Sequence, residues 1–414
     1  MPEMTKSTET GSTEKVSLLY IFWVFLKLGA TAFGGYMSLV AIVQKQLVEI
    51  DKKLKEEDLL DGISLTSVLP GPVAVNVIAY VGYKLRGVAG AMASFVAIII
   101  PSFLLVLFLS WFYVSYGSVP AVKNFFLGIT PAVTALILTV AIGMARKNMK
   151  SKIHWAINLV SMLLLILIGG IQVTFVVMIG GALIGYCCFF KREEKEIGEN
   201  DKPGLAQISR KQWGISVCVV LLLLALLLFA GQQTESPILW QVASTFSGIS
   251  LTLFGGGYVV IPALHELFVD NLGWLTSPEF ADGIAIGQVT PGPIFITATF
   301  IGYLVAGFWG ALIATVSIFT PPAVLTVLLS RFIEVIRDSK VVKAILQGIR
   351  AAVIGMIFAS AITIGNTMPL EIRTIGLFLI NFGISYKYNL NPIFLILGSG
   401  LIGLISVSYT HLTL

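Results

Sequence analysis

Charge is what this 414-residue chain has least of: Asp, Glu, Lys and Arg make up 12% of it, about half the share typical of soluble domains. Hydrophobic residues account for 56%, and apolar runs such as 217–230 are unbroken. Together these exclude a water-soluble fold and point to an all-α polytopic membrane protein. Cysteine is nearly absent. Cys187, Cys188 and Cys218 have neither the number nor the spacing of a disulfide framework or a zinc site. His154, His265 and His411 are scattered along the chain, so no metal, no cofactor and no His-based enzyme is expected. Residues 1–15 lack the apolar core of a cleavable signal and read as a polar cytoplasmic tail. The net charge of +5 does not call for nucleic acid, because basic residues on a membrane protein gather in its cytoplasmic loops.

Glycine, by contrast, is plentiful, with 40 residues, which favours close helix contacts and broken helices. At about 20 apolar residues per span, the chain divides into 16–32, 36–50, a broken pair 59–69 and 73–84, then 88–114, 121–146, 153–169 and 171–190. A charged linker at 191–211 and a lone helix at 213–231 follow. A second series runs 238–254, 257–270, a broken pair 279–290 and 293–304, then 307–330, 341–364, 370–386 and 391–408. The series repeat. Phe33, Gly34, Gly35, Asp61, Gly62, Pro70, Gly71 and Pro72 recur 221 residues later as Phe254, Gly255, Gly256, Asp282, Gly283, Pro291, Gly292 and Pro293. Gly82, Gly87, Gly90, Pro101 and Gly128 recur at an offset of 220 as Gly302, Gly307, Gly310, Pro321 and Gly348. The organisation expected is a first repeat at 16–190, a linker and connecting helix at 191–237, and a second repeat at 238–408. The polar end SVSYTHLTL reads as foreign to the apolar helix before it.

Basic residues orient the repeats oppositely. Lys45, Lys52, Lys53 and Lys55 crowd 45–58, while the equivalent 266–279 has no Lys or Arg. Conversely, 115–123 holds only Lys123, whereas 331–343 holds Arg331, Arg337, Lys340 and Lys343. The positive-inside bias therefore inverts, giving two inverted-topology repeats, about thirteen spans and a cytoplasmic amino terminus. Of the 27 Lys and Arg, only Lys27, Lys123, Arg350 and Arg373 fall outside cytoplasmic segments on this map. Inverted repeats around a midplane site are a transporter architecture.

Each broken pair is long enough to reach the bilayer centre and return. Pro70 and Pro291 end one helix, Gly71 and Gly292 permit a sharp turn, and Pro72 and Pro293 suit the start of the next. The returning helices aim amide donors and positive dipole ends at the membrane centre, where an anion would be stabilised. Asn76, Gln288, Thr290 and Thr297 are uncharged groups near these breaks; interhelical hydrogen bonding is their other reading. Phe33–Gly35 and Phe254–Gly256 allow backbone to approach a ligand or a neighbouring helix. Lys27, near the middle of its span, is read as attracting the substrate, with structural pairing to a carbonyl or acid as the alternative, and Arg350 either as joining it or as reaching for the interface. Asp61 and Asp282 open the broken pairs and are expected to cap helices or to complement the charge of their first turn, with gating or proton coupling as the alternative.

Phe-Gly-Gly at 33–35 and 254–256, Leu-Pro-Gly-Pro at 69–72, Thr-Pro-Gly-Pro at 290–293 and GYxxxGxxGA at 82–91 and 302–311 resemble the chromate ion transporter family in its long, two-domain form. The resemblance implies a multi-pass inner-membrane exporter of chromate, with sulfate as the look-alike anion. Gln288 matches the family's Gln before the second turn, and its first-half equivalent is Ser67. The family's Trp-Leu is present as Trp274 and Leu275, but the first half has Lys53 and Leu54. The partners expected are the oxyanion and the lipid bilayer, with a homodimer left open. A lipid scramblase or a membrane assembly subunit is the competing reading from another class.

Overall fold

A computed structural model describes residues 16–32, 36–196, 237–252, 257–330, 340–369, 371–388 and 390–408. Phe33, Gly34, Gly35, Phe254, Gly255 and Gly256, the expected helix at 213–231 and the last six residues lie outside the described residues. Within them are fourteen α-helices and no strand. The first half comprises α1 (Leu18–Thr31), α2 (Tyr36–Val43, running into a π-helical stretch Gln44–Ile50), α3 (Glu56–Thr66), α4 (Val73–Tyr116), α5 (Pro120–Asn148), α6 (Lys152–Leu167) and α7 (Ile171–Glu196). The second comprises α8 (Ile238–Thr252), α9 (Val260–His265, followed by the π-helical Glu266–Asn271), α10 (Ser277–Val289), α11 (Thr297–Leu329), α12 (Lys340–Gly365), α13 (Ile372–Tyr388) and α14 (Pro392–Ser408). Among the described residues, five helices are long and apolar enough to cross a membrane, and their outward faces carry large apolar side chains.

The repeat in sequence is a repeat in backbone. α4 reverses at Arg86 (φ −153°, ψ 34°) and Gly87 (φ 61°, ψ −152°), and α11 reverses at Ala306 (φ −147°, ψ 30°) and Gly307 (φ 60°, ψ −148°). Each is therefore two helices folded back on each other: 73–85 with 88–116, and 297–305 with 308–329. Gly82 lies against Gly90 and Gly302 against Gly310, so closely that a Cβ on any of them would run into backbone. Hydrogen bonds across the fold keep the antiparallel register, from Ser94 Oγ to the Ile78 carbonyl (3.1 Å) and between the Thr299 and Thr315 hydroxyls (2.7 Å).

The two halves are intertwined. α5 packs on α13 and α14 of the second half, and its equivalent α12 packs reciprocally on α6 and α7 of the first. Small residues permit this close approach: Gly128 seats against Gly403, and Gly348 against Gly181 and Gly185. The second arm of α4 packs on α1, α11 packs on α8, and α4 and α11 pack on each other. These long-helix contacts occur in equivalent pairs, whereas α10 packs on α5 and α14 without a matching contact of α3 among the main helix pairs.

One expectation is corrected. Asp61 and Asp282 do not cap helices, because α3 starts at Glu56 and α10 at Ser277, placing both aspartates in the second turn. The acidic first turn of α3 is Glu56, Glu57 and Asp58, and α10 is closed by a Thr276–Glu279 capping box.

Candidate functional site

In each half, α3 or α10 runs in, turns at Pro-Gly-Pro, and the first arm of α4 or α11 runs back. Packing shows that these are true hairpins. A Cβ on Gly62 would lie 2.6 Å from the Tyr80 ring, and one on Gly283 would lie 2.6 Å from the Phe300 ring; both pairs are placed almost symmetrically about the turn glycine. At the open end of the first hairpin, Lys84 and Asp58 form a 2.9 Å ion pair. At the tips, Gly71 (φ +94°) and Gly292 (φ +113°) occupy backbone that a side chain resists. Pro72 leads directly into α4, whereas Pro293 is followed by one 3₁₀ turn, Ile294–Ile296, before α11 continues.

Both tips seat on the other half. A Cβ on Gly71 would run into Pro322 of α11, and one on Gly292 would lie 3.1 Å from Ser102 of α4. Ser102 and Pro322 occupy equivalent positions, each following a repeated proline, Pro101 or Pro321. The Gly292 amide donates to the Ala32 carbonyl at the end of α1 (2.9 Å), immediately before Phe33–Gly35. A Cβ on Gly71 would also lie 3.3 Å from the Ser250 carbonyl of α8. Every residue from Pro70 to Val81 is buried. The free amides of the returning helix therefore begin inside the protein, where non-helical backbone can be sheltered from lipid.

The polar groups at the tips differ. In the first half, Asn76 Nδ2 donates to the Pro70 carbonyl (3.1 Å), bracing the turn, while its buried Oδ1 has no partner. In the second half, Gln288 Oε1 accepts from the Tyr258 hydroxyl (3.1 Å), while its buried Nε2 has no partner. The hydroxyl protons of Thr290 and Thr297 are committed to the Gly287 carbonyl (3.1 Å) and the Ile294 carbonyl (2.8 Å). Among the described residues, then, the second tip offers a spare donor and the first a spare acceptor.

The charged candidates stand away from the tips. Asp282 is buried and accepts a 2.9 Å hydrogen bond from Tyr113, at the far end of α4. It lies ten residues before Gly292, about 15 Å by helical rise, so its charge does not confront a ligand at the tip. Asp61 is half-buried at the equivalent place. Lys27 is exposed, on the side of α1 opposite its buried stripe of Ile21, Phe25, Leu28 and Gly29, and Arg350 lies on an exposed face of α12. Neither is turned into the packed core between the halves.

Sequence reasoning missed Tyr258, Tyr113, Ser102 and Pro322. The recurrence of Pro101 and Pro321 already marked where the tips dock, but the two tyrosines have no counterpart in the other half that a repeat search would flag.

A family model described as "Chromate transporter" matches residues 19–186 and 240–404. An uncharacterized transporter of Methanocaldococcus jannaschii is 33% identical over 94% of this chain and 96% of its own length. A probable chromate transport protein of Synechococcus elongatus is 31% identical over 90% of each, and the chromate transport protein of Cupriavidus metallidurans is 28% identical over 99% of this chain and 98% of its own. No solved structure matches. The family model covers most of both halves and these relatives align along nearly their whole length, so the chain belongs to the chromate transporter family.

Proposed function

We propose that the protein carries a tetrahedral oxyanion, chromate or its look-alike sulfate, out of the cytoplasm along a path between the two hairpin tips. The observation that carries this reading is the pair of sheltered tips. Each begins a helix inside the protein, each is seated on the other half, and among the described residues neither has a carboxylate beside it. Amide donors with no nearby negative charge suit an anion. Gln288 Nε2 adds a side-chain donor. Lys27 draws the anion in. A lysine exposed to lipid near the bilayer centre costs about 2.5–3.5 kcal/mol, which favours a water-filled path along that face of α1.

The halves have opposite orientations in the membrane, about thirteen spans in all, with the amino terminus inside the plasma membrane. Two contacts support this beyond the charge bias. Tyr113 lies at the outer end of its span, and Asp282 lies at the outer face only if the second half is inverted. Their hydrogen bond favours an inverted over a parallel arrangement. The Gly170 amide, which the same map puts at an outer loop, donates to Glu266, and inversion puts Glu266 on that side as well.

Export needs no coupling ion. A dianion leaving a cytosol negative inside gains about 4.6 kcal/mol per 100 mV, over three decades of concentration at about 1.4 kcal/mol each. The test is chromate accumulation in proteoliposomes under a valinomycin-set potassium potential without a pH gradient, with Lys27→Ala, Gly71→Leu and Gly292→Leu as variants. Potential-driven flux in the parent and its loss in the variants is the expected result. Flux that follows only an imposed pH gradient would overturn the energetics and promote Asp61 and Asp282 to proton carriers. Lipid scrambling without anion flux would overturn the substrate.

A further inference from the structure

The carboxamide of Gln288 has a donor end and an acceptor end, and a carboxamide free to rotate would serve an anion and a proton donor equally. Here it is not free. The Tyr258 hydroxyl, on the short 3₁₀ turn Gly257–Val259 just after the second Phe-Gly-Gly, donates to Gln288 Oε1 at 3.1 Å. That bond turns Oε1 toward Tyr258 and leaves Nε2 buried and unpartnered, on the last turn of α10 four residues before Gly292. The equivalent positions in the first half are Met37 and Ser67, and the Ser67 hydroxyl is spent on the Ser64 carbonyl (2.8 Å). The device therefore exists at one tip.

We infer that Tyr258 is a positioning residue which locks the Gln288 carboxamide donor-first, so that the second tip selects oxyanions carrying no proton. The inference rests on the oxyanion reading above. Sulfate, and chromate above neutrality, are pure acceptors and can take every donor a tip offers. Hydrogen phosphate, of similar size and shape, carries a hydroxyl that needs an acceptor, and the acceptor end of Gln288 is turned to Tyr258. A buried polar group left unpaired is expensive, whereas a satisfied one contributes little net, so discrimination arises from the mismatch. A site built this way rejects the wrong hydrogen-bonding pattern far better than it rejects the wrong size.

The experiment uses the full chain in proteoliposomes at slightly alkaline pH, measuring labelled chromate flux and its inhibition by sulfate and by phosphate. In the parent, sulfate should inhibit far more strongly than phosphate. In Tyr258→Phe the carboxamide can rotate, and the ratio of the two inhibition constants should fall about 10-fold. The KM for chromate should rise while the maximal rate stays within about threefold. A merely structural role would lower rate or abundance without moving that ratio. If Tyr258→Phe fails to reach the membrane, Gln288→Asn, one methylene too short to keep the hydroxyl, should give the same loss of selectivity. An unchanged ratio in the variant, or a parent that takes phosphate as readily as sulfate through the spare Asn76 acceptor, would overturn the assignment. Absence of any oxyanion flux in the parent would instead remove the reading on which it rests.

Discussion

Two turns at equivalent places, 51–55 and 272–276, share one backbone and almost no chemistry. In the first, the amides of Lys53 and Leu54 both donate to the Leu47 carbonyl (2.9 and 3.1 Å); in the second, those of Trp274 and Leu275 both donate to Phe268 (2.8 and 3.2 Å). The contents diverge. The first turn holds a polar cluster in which Tyr20 and Gln46 donate to Asp51 while the Lys53 ammonium sits 3.8 Å from the Tyr20 ring centre. The second holds an aromatic stack, Phe246 on Phe268 (4.7 Å) and Phe268 on Trp274 (5.3 Å). Duplication thus kept the hydrogen-bond frame, and each copy was refilled independently. On the inverted reading one turn faces the basic cytoplasmic side and the other the opposite face, which accounts for a lysine in one and a tryptophan in the other.

The hairpin tips give the largest separation between the halves. Both turn glycines have positive φ, and alanine at either should cost about 1–3 kcal/mol in backbone strain. At Gly71, however, a Cβ would run into two ring carbons of Pro322, whereas at Gly292 it would meet the side chain of Ser102 at 3.1 Å. A proline ring inside a helix cannot turn aside, and forcing atoms into it adds about 1–3 kcal/mol. Gly71→Ala should therefore lower the apparent melting temperature in detergent clearly more than Gly292→Ala. Equal losses would mean that the docking surfaces are not as unlike as Pro322 and Ser102 imply.

The next effect tests the cross-half link at Asp282. Tyr113→Phe removes its hydroxyl donor without changing ring packing against Phe126 and Phe300. Leaving a buried carboxylate short of a donor should cost about 1–3 kcal/mol. A double-mutant cycle with Asp282→Asn measures the pair itself, and a coupling near zero would remove Tyr113 as the partner that matters. Asp61→Asn, at the half-buried equivalent, should cost less than Asp282→Asn.

Much of this was legible in the sequence because it depends on residues with no substitute. A Pro-Gly-Pro turn, a glycine reversal at 87 and 307, and glycine contacts such as Gly128 on Gly403 leave the same letters at a fixed offset. The helix pairs 73–84 with 88–114 and 293–304 with 307–330 were accordingly placed almost to the residue. What stayed hidden lacks periodicity. The interlacing of α5 and α12 with each other's partners is a choice among equally apolar faces, and Tyr258–Gln288 and Tyr113–Asp282 are bonds between residues far apart in sequence, each made once. Lys27 was placed by depth alone, and helical depth does not say which way a side chain faces.

A smaller effect comes from the turns themselves. Gly273 has φ +60°, and its equivalent Lys52 is held at φ +52°, the one positive φ among the described residues that are not glycine. A residue with a Cβ pays about 1–2 kcal/mol for left-handed backbone. Lys52→Gly should thus raise the apparent melting temperature, and Gly273→Lys should lower it by a similar amount. No gain from Lys52→Gly would mean that the lysine repays its strain through contacts of its own.

The smallest effect is a pH dependence confined to the first turn. Burial raises the Asp51 carboxyl, but hydrogen bonds from Tyr20 and Gln46 and the nearby charge of Lys53 outweigh it and hold the group below the ordinary aspartate value. A carboxyl whose folded value is depressed stabilises the fold above its unfolded value, about 3.9, and that contribution disappears as pH falls through the folded one. The site is partly open to solvent, so the contribution should stay within about 1 kcal/mol. Parent and Asp51→Asn should differ most in melting temperature near neutrality and converge in strong acid. The second turn has Leu272 in the equivalent place, and the carboxylates flanking that turn, Glu279 bonded to Thr276 and Asp270 bonded to His265, are the same in parent and variant, so Leu272→Ala should show the same offset from the parent at every pH. Convergence for Leu272→Ala, or a constant offset for Asp51→Asn, would show that the polar cluster is not what distinguishes the two turns.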